Sequence, residues 1–394
     1  MKPLEGIKVL DLTRILAGPF CTMILADMGA EVIKIEQPGR GDDTRAFGPP
    51  FQKGESAYFL SINRNKKSIT LDIKSDKGKE IIRRLIQRSD ILVENFRPGA
   101  LTKLGFGYDA VSKINPRLIY ASISGFGQTG PWSAKPGYDL AIQGLGGIMS
   151  LTGDAEGPPY KVGVSQADLT AGLYAVQGIL LALYAREKTG RGQLVDVGMF
   201  DCQIALLSFQ AGIYFMTGVS PTRKGNQHPT ICPYETFKAR DRYITVAVGN
   251  DRLWQKFCAV LGLDKLRDHP DYSTNPNRVQ HRDRLSPIIQ EEIGKRESAH
   301  WLTLLEENGI PAGPILSVEE ALTQPQTTAR EMVAAVDHRT LGKIKQTGIP
   351  VKISETPGAI ENPPPCLGEH TDAILESLGY SGADIQAMRA GGVI

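Results

Sequence analysis

With 394 residues and 45 basic against 43 acidic side chains, the chain carries a formal net charge of +2 and no long run of like charges, which excludes an electrostatic grip on nucleic acid or on a membrane surface. A chain of this length exceeds one small core, so two domains are expected. The five cysteines, Cys21, Cys202, Cys232, Cys258 and Cys366, stand far apart with no CxxC pair, which points to reduced thiols in a cytoplasmic compartment.

The opening "MKPLEGIKVLDL" runs directly into a strand pattern without an apolar signal core. No later stretch has about 18 uninterrupted apolar residues, so a soluble protein is expected. "GIKVLDLT" reads as a strand, "GPFCTMILADMGA" as a helix with Pro19 near its start and Gly29 at its end, and "EVIKIE" as a second strand. The alternation recurs in "KSITLDI", "KGKEIIRRLIQRS", "DILVEN" and "LIYASIS". Strands alternating with helices imply a mostly parallel sheet covered on both faces, a large Rossmann-like α/β domain whose first part spans residues 1–203. Within it, "SQADLTAGLYAVQGILLALYA" is apolar or small at almost every position after Asp168, as expected of a helix buried on all sides, and "TGRGQLVDVGMF" then returns the chain to a strand.

Residues 204–224 read as a connector. The turn-rich "RKGNQHPTICPYE" opens a smaller α+β domain over 225–325, containing the strand pattern "YITVAVGN" and helical patterns at "RLWQKFCAVLGL" and "HRDRLSPIIQEEIGKR". Residues 326–394 form a second connector and a return to the large domain through "ENPPPCLGEHTDAILESLGY". No internal repeat is found.

Several chemistries lack their motifs. The glycines of "PGALTKLGFG" and "AIQGLGGIMS" match neither a P-loop nor a dinucleotide fingerprint placed between the first strand and helix. The six histidines show no i, i+4 pair and no Cys/His cluster, so no protein-built metal site is expected. His370 in "LGEHTD" reads as a turn or tail-packing residue.

Asp168 reads in two ways. Aspartate is favoured as a helix N-cap, where its oxygen accepts free backbone N–H groups. The same position suits a nucleophile, which must be ionised: an apolar pocket raises the carboxylate reference pKa of roughly 3.9, and a helix N-terminus lowers it again. The small residues Ala171, Gly172, Ala175, Gly178 and Ala182 follow at three- and four-residue steps, and they admit either a close-packed backbone or a thin ligand.

Nine motifs, taken in chain order, resemble the class III coenzyme A transferase family: "VLDLTRILAGPFCTMILADMGAEVIKIEQPGRGDDTR", "YFLSINRNKKSITLDIK", "VENFRPGAL", "GFGQTGP", "GYDLAIQGLGG", "QADLTAGLYAVQGILLALYAREKTGRGQLVDV", "PYETFKARDRYITVAVGN", "GIPAGPI" and "LGEHTD". Within the family, "LTRILAGPF", "GDDTRAFGPPF" and "NRNKKSI" are most similar to succinyl-CoA:glutarate, or dicarboxylate, CoA-transferases.

The resemblance implies that Asp168 is the nucleophile, forming an acyl-aspartyl anhydride and then an aspartyl-CoA thioester. Coenzyme A and acyl-CoA would be substrates, with no tightly bound cofactor. CoA contacts carry over to Leu16 and Ala17, to Leu71, Asp72, Ile73 and Lys74, to Asn95, Phe96 and Arg97, to Lys103, and to Pro136, Gly137, Tyr138 and Asp139. Lys74, Arg97 and Lys103 suit phosphates. A dicarboxylate acceptor needs a cation for its unreacted end, for which Arg14 is the first candidate, followed by Arg45 and His228. The loop Lys224–Thr230, with Gly225 and Asn226, matches a cover loop of relatives. Two departures stand out. Some formyl-CoA transferases have Gln where Leu16 stands, which argues against a formyl-CoA:oxalate-type substrate, and Gln37 replaces an Arg of some relatives. The 2-methylacyl-CoA racemases of the same fold carry His where Tyr138 stands. The family further implies an interlocked homodimer.

Overall fold

The computed structural model describes residues 1–394, which divide into two compact units. The first comprises Met1–Ile148, Val162–Ala211 and Pro325–Ile394. The second comprises Met149–Lys161 and Gly212–Gln324. Residues 149–161, expected within the large domain, thus group with the smaller unit.

The first unit is organised by six strands, β1 (Lys8–Asp11), β2 (Glu31–Glu36), β3 (Lys66–Thr70), β4 (Ile91–Glu94), β5 (Ile119–Ser124) and β6 (Leu194–Gly198). They form one sheet in the order β3-β2-β1-β4-β5-β6, every pairing parallel. Alternate side chains point to opposite faces. Val9, Ile91, Val93, Ile119 and Ala121 therefore join one core, with α1 (Ala17–Asp27). Leu10, Leu92 and Tyr120 join the other, with α2 (Asp76–Arg88). Helix α2 starts where Ser75 Oγ accepts the Gly78 N–H at 3.0 Å, and its Ile81, Ile82, Leu85 and Ile86 turn onto the sheet. A Cβ on Gly78 would lie 1.9 Å from the Asp72 carbonyl oxygen, so only glycine admits this turn.

Two further helices, α3 (Asp139–Leu145) and α4 (Gln166–Thr189), complete the site-bearing side. The expectation that α4 is buried on all sides is corrected. Its small and apolar residues Ala171, Gly172, Ala175, Ile179 and Ala182 are buried against α1 and the sheet, while Leu173, Leu181 and Tyr184 are 54%, 62% and 65% exposed. The composition averages over a small inner stripe and a large apolar outer one, so periodicity does not separate them. This is also the one unbroken helix long and apolar enough to cross a membrane.

In the second unit β7 (Tyr234–Lys238), β8 (Tyr243–Ala247) and β9 (Ala312–Pro314) form an antiparallel sheet in the order β9-β8-β7. Helices α5 (Asp251–Leu261), α6 (Arg282–Ile293) and α7 (Ser298–Glu307) share its core through Trp254, Phe257, Leu285, Ile289 and Trp301. The chain returns to the first unit as the hairpin β10 (Val333–His338) and β11 (Gly342–Thr347), then α8 (Thr371–Ser377) and α9 (Gly382–Ala390). His370 belongs to this tail packing: its N–H donates to the Ser68 carbonyl at 2.9 Å and its Nδ1 accepts the Ser68 N–H at 3.2 Å. All five cysteines are free.

Candidate active site

In an open parallel sheet, ligands bind beyond the carboxyl ends of the strands where the strand order reverses. Here that point lies between β1 and β4. A cavity of about 320 Å³ opens there, lined from the β1 loop by Arg14, Ile15 and Ala17, from the β4 loop by Asn95, Phe96 and Arg97, and from the far side by Lys135–Tyr138 and Asp168. The two loops are tied together: the Arg14 N–H donates to Asn95 Oδ1 at 2.8 Å, and Asn95 Nδ2 donates to the Arg14 carbonyl at 2.7 Å.

Asp168 is not the N-cap of its helix. Ser165 occupies that position and Asp168 is the third helical residue. The cap duty belongs to Asp139 of α3, whose Oδ1 accepts the Ala167 N–H at 2.8 Å. Asp168 accepts instead the N–H of Ala17, the first residue of α1. Each carboxylate therefore serves the head of a helix other than its own. Of the two opposed influences expected on its pKa, burial outweighs the helix N-terminus. Burial, with Asp139 alongside, pushes the Asp168 carboxyl up to about 7, and the Ala17 N–H offsets only part of that. Tyr58 faces the same pair, and its hydroxyl is held above the ordinary tyrosine range by burial and by Asp168.

Around this acid stand three cations, Arg14, Arg97 and Lys135. Arg14 pairs with Asp43 at 3.0 Å but its side chain is 49% exposed, and no ion pair holds Arg97. Lys135 lies 4.2 Å over the Trp132 ring. Lys135 escaped the motif match although it directly precedes the expected Pro136–Asp139 segment. The hydroxyl of Ser124, at the carboxyl end of β5, lines the cavity with no partner in the protein. The end-of-strand rule alone could have found it. Gly125 and Gly137 make the far wall possible, because a Cβ on Gly125 would lie 2.8 Å from the Gly137 Cα.

Of the other expected site residues, Ala17, Asn95, Phe96, Arg97, Pro136, Gly137 and Tyr138 line the cavity, Tyr138 being 70% exposed at its rim. Leu16 is buried as the N-cap residue of α1, and Leu71 is a core residue. Asp72, Ile73, Lys74 and Lys103 lie outside the cavity lining. Asp72 Oδ1 accepts the Lys74 N–H, so this segment is a turn before α2. Arg45 is committed within the fold: its guanidinium takes Glu36 through two bonds of 2.7 Å and stacks 3.6 Å from the Phe59 ring centre. Gly225, Asn226 and His228 belong to the second unit, where Asn226 Nδ2 donates to Thr236 Oγ1 and His228 Nδ1 accepts the Thr230 N–H.

One grouping could be considered for a metal ion, Glu55, His338 and Cys366, whose donor atoms lie within 4.8 Å of one another. The histidine is set against that role. Its Nδ1 accepts the Thr340 and Leu341 N–H groups at 3.2 and 3.3 Å, which leaves the ring proton on Nε2. A metal-ligating imidazole instead gives one lone pair to the ion and donates its other N–H.

Comparison with known proteins points to one family. The family described as CoA-transferase family III matches residues 4–371. The human succinyl-CoA:glutarate CoA-transferase is 44% identical over 395 residues, covering 100% of this chain and 90% of that protein. The acetyl-CoA:oxalate CoA-transferase of Acetobacter aceti is 44% identical over 364 residues, covering 91% of this chain and 92% of the relative. A crystal structure of a CAIB/BAIF family protein from Brucella suis superposes with a TM-score of 0.85 at 42% identity, covering 96% of this chain and 99% of that one. A parallel sheet with its cavity at the strand reversal, an acid in the cavity lining and a match along almost the whole length lead to one conclusion: the chain belongs to CoA-transferase family III and is a transferase enzyme.

Proposed function

We propose that the chain moves CoA from an acyl-CoA donor such as succinyl-CoA to a dicarboxylate acceptor such as glutarate, with Asp168 as the nucleophile. An Asp168 oxygen attacks the thioester carbonyl, the C–S bond breaks, and CoA leaves as thiolate, giving a mixed anhydride. The thiolate then attacks the aspartyl carbonyl, expelling the donor as its free carboxylate and leaving an aspartyl-CoA thioester. The acceptor carboxylate attacks that thioester, CoA thiolate leaves again, and its attack on the acceptor's acyl carbon forms the new thioester and restores Asp168. Each step exchanges one activated acyl bond for another, so no energy input is needed. Water must be held off both intermediates.

The observation that carries this reading is a half-buried carboxyl in the lining of a cavity rimmed by three cations, with the Ala17 amide N–H turned to it. The cations suit an anionic acceptor and the phosphates of CoA. Because only the ionised acid attacks, turnover should rise with pH through about 7. The choice of dicarboxylate draws on the printed name of the human relative, while the Acetobacter relative acts with oxalate as its name states. Discrimination between such acids is worth only roughly 1–3 kcal/mol per methylene. The test is to mix succinyl-CoA with glutarate, oxalate and other acids, follow the new thioesters by mass spectrometry, and trap the enzyme with hydroxylamine. A hydroxylamine-labile adduct on Asp168 supports the reading; transfer without it refutes the nucleophile.

The same reading includes a homodimer. The outer face of α4 presents Leu173, Leu180, Leu181 and Tyr184 in one stripe, 42% to 65% exposed, an apolar surface of the kind that marks an interface. A fully active monomer in light scattering would refute it.

A further inference from the structure

The loop from β1 to α1 holds a conformation its own residues disfavour. Ile15 has φ +69°, where a β-branched side chain is an outlier, and Leu16 follows at φ −132°, ψ −60° before α1 starts at Ala17. Such backbone persists only when its surroundings over-determine it. Three side chains do so here. Lys34 Nζ donates to the Thr13 carbonyl at 2.8 Å, Asn95 clamps both polar groups of Arg14, and Asp42 Oδ1 accepts the Ile15 N–H at 3.2 Å. Asp42 is itself fixed, with Oδ2 2.8 Å from Lys34 Nζ and Oδ1 also accepting the Thr44 N–H at 2.9 Å. From the opposite side comes α4. A Cβ on Gly172, one turn beyond Asp168, would lie 2.8 Å from the Ala17 carbonyl oxygen, so α1 reaches this close only because that residue is glycine.

We propose that Asp42 is a positioning residue for the transfer reaction: by holding Ile15 in its left-handed turn it aims the Ala17 N–H at the Asp168 carboxylate. The inference rests on Asp168 being the nucleophile. One fixed donor on one oxygen leaves the other free to face the thioester carbon, and it favours the ionised form that attacks. Released from Asp42, Ile15 relaxes to negative φ and the following amide swings away. Asp42 is 2% exposed and lies outside the cavity lining, so it acts on the substrate only through this chain of contacts. Of the other groups facing Asp168, Asp139 of α3 and Tyr58, Tyr58 also feels the Asp42 charge, a charge that the alanine and asparagine variants lose alike.

The test compares Asp42→Ala with Asp42→Asn. Both lose the Lys34 ion pair, but only Asn keeps an acceptor for Ile15. Folded Asp42→Ala should lose roughly ten- to a hundredfold in kcat with a far smaller change in the acyl-CoA KM, and its pH profile should move upward. Asp42→Asn should recover most of that loss. Equal impairment of the two variants, or an unchanged profile in Asp42→Ala, overturns the proposal. Should the alanine variant not fold, Gly172→Ala displaces Ala17 from the other side without touching an ion pair, and it should move kcat and the pH profile in the same directions; no movement overturns the proposal. Mapping the adduct on the unaltered enzyme separates the two levels. An adduct away from Asp168 removes both readings, whereas an adduct on Asp168 with indifferent variants removes only the role of Asp42.

Discussion

Replacing Asp168 by Asn keeps the shape of the side chain and an oxygen to accept the Ala17 N–H, and it removes only the ability to ionise. In the fold this carboxyl is pushed up to about 7 from 3.8, so between those values the folded chain holds a proton that the unfolded chain has released. Stability therefore falls as pH rises through this window, and the loss is complete above about 7. At about 1.36 kcal/mol per tenfold change in proton affinity, the gap amounts to about 4 kcal/mol for a dry site, reduced to roughly 2–3 kcal/mol by contact with the open cavity. Asp168→Asn escapes this loss. Its Tm should match the unaltered protein near pH 4 and exceed it at about pH 8 by roughly 4–6 °C, taking roughly 2 °C per kcal/mol for a unit of this size. Turnover should meanwhile fall by more than about a thousandfold, since an amide cannot form the anhydride. Thermal melts across the pH range, paired with thioester transfer assays on the same samples, give both readouts. A stability difference independent of pH would refute the electrostatic account, and retained turnover without deamidation would refute the nucleophile.

Other perturbations separate binding, folding and assembly. Arg97→Ala, removing an unpaired cation of the cavity, should raise the KM for acyl-CoA roughly tenfold with little change in kcat, measured by initial rates at fixed salt. Arg64 is buried, donates to both Asp27 oxygens at 2.7 to 3.2 Å and reaches the Thr347 carbonyl at 2.6 Å, so Arg64→Ala should cost about 3–5 kcal/mol by stranding Asp27, seen as a lowered melting transition. Leu181→Glu with Leu173→Glu, on the outer face of α4, should leave the monomer fold intact and halve the mass in light scattering; an unchanged mass would place the interface elsewhere.

Motifs were legible where their cause is local, and their roles were not. "NRNKKSI" identified the family, but its residues serve the interior: Asn63 and Asp11 hold Lys66 Nζ, while Arg64 and Asn65 hold Asp27. "GDDTR" likewise divides among three duties, Asp42 on Ile15, Asp43 on Arg14 and Arg45 on Glu36. Residues that are adjacent in a motif but point in different directions acquire separate partners, and only the fold says which.

The alternation of strands and helices, the parallel sheet and the acid at position 168 were determined by the sequence, because hydrophobic period, turn residues and a lone carboxylate before an apolar run act within a few residues of themselves. Tertiary structure alone decided that Asp168 takes its amide from α1 while Asp139 caps α4, that Lys135 and Ser124 face the same cavity, and that one side of α4 remains exposed. Each of these depends on which backbones approach across the sheet, and burial and charge at the acid are sums over segments that only that approach brings together.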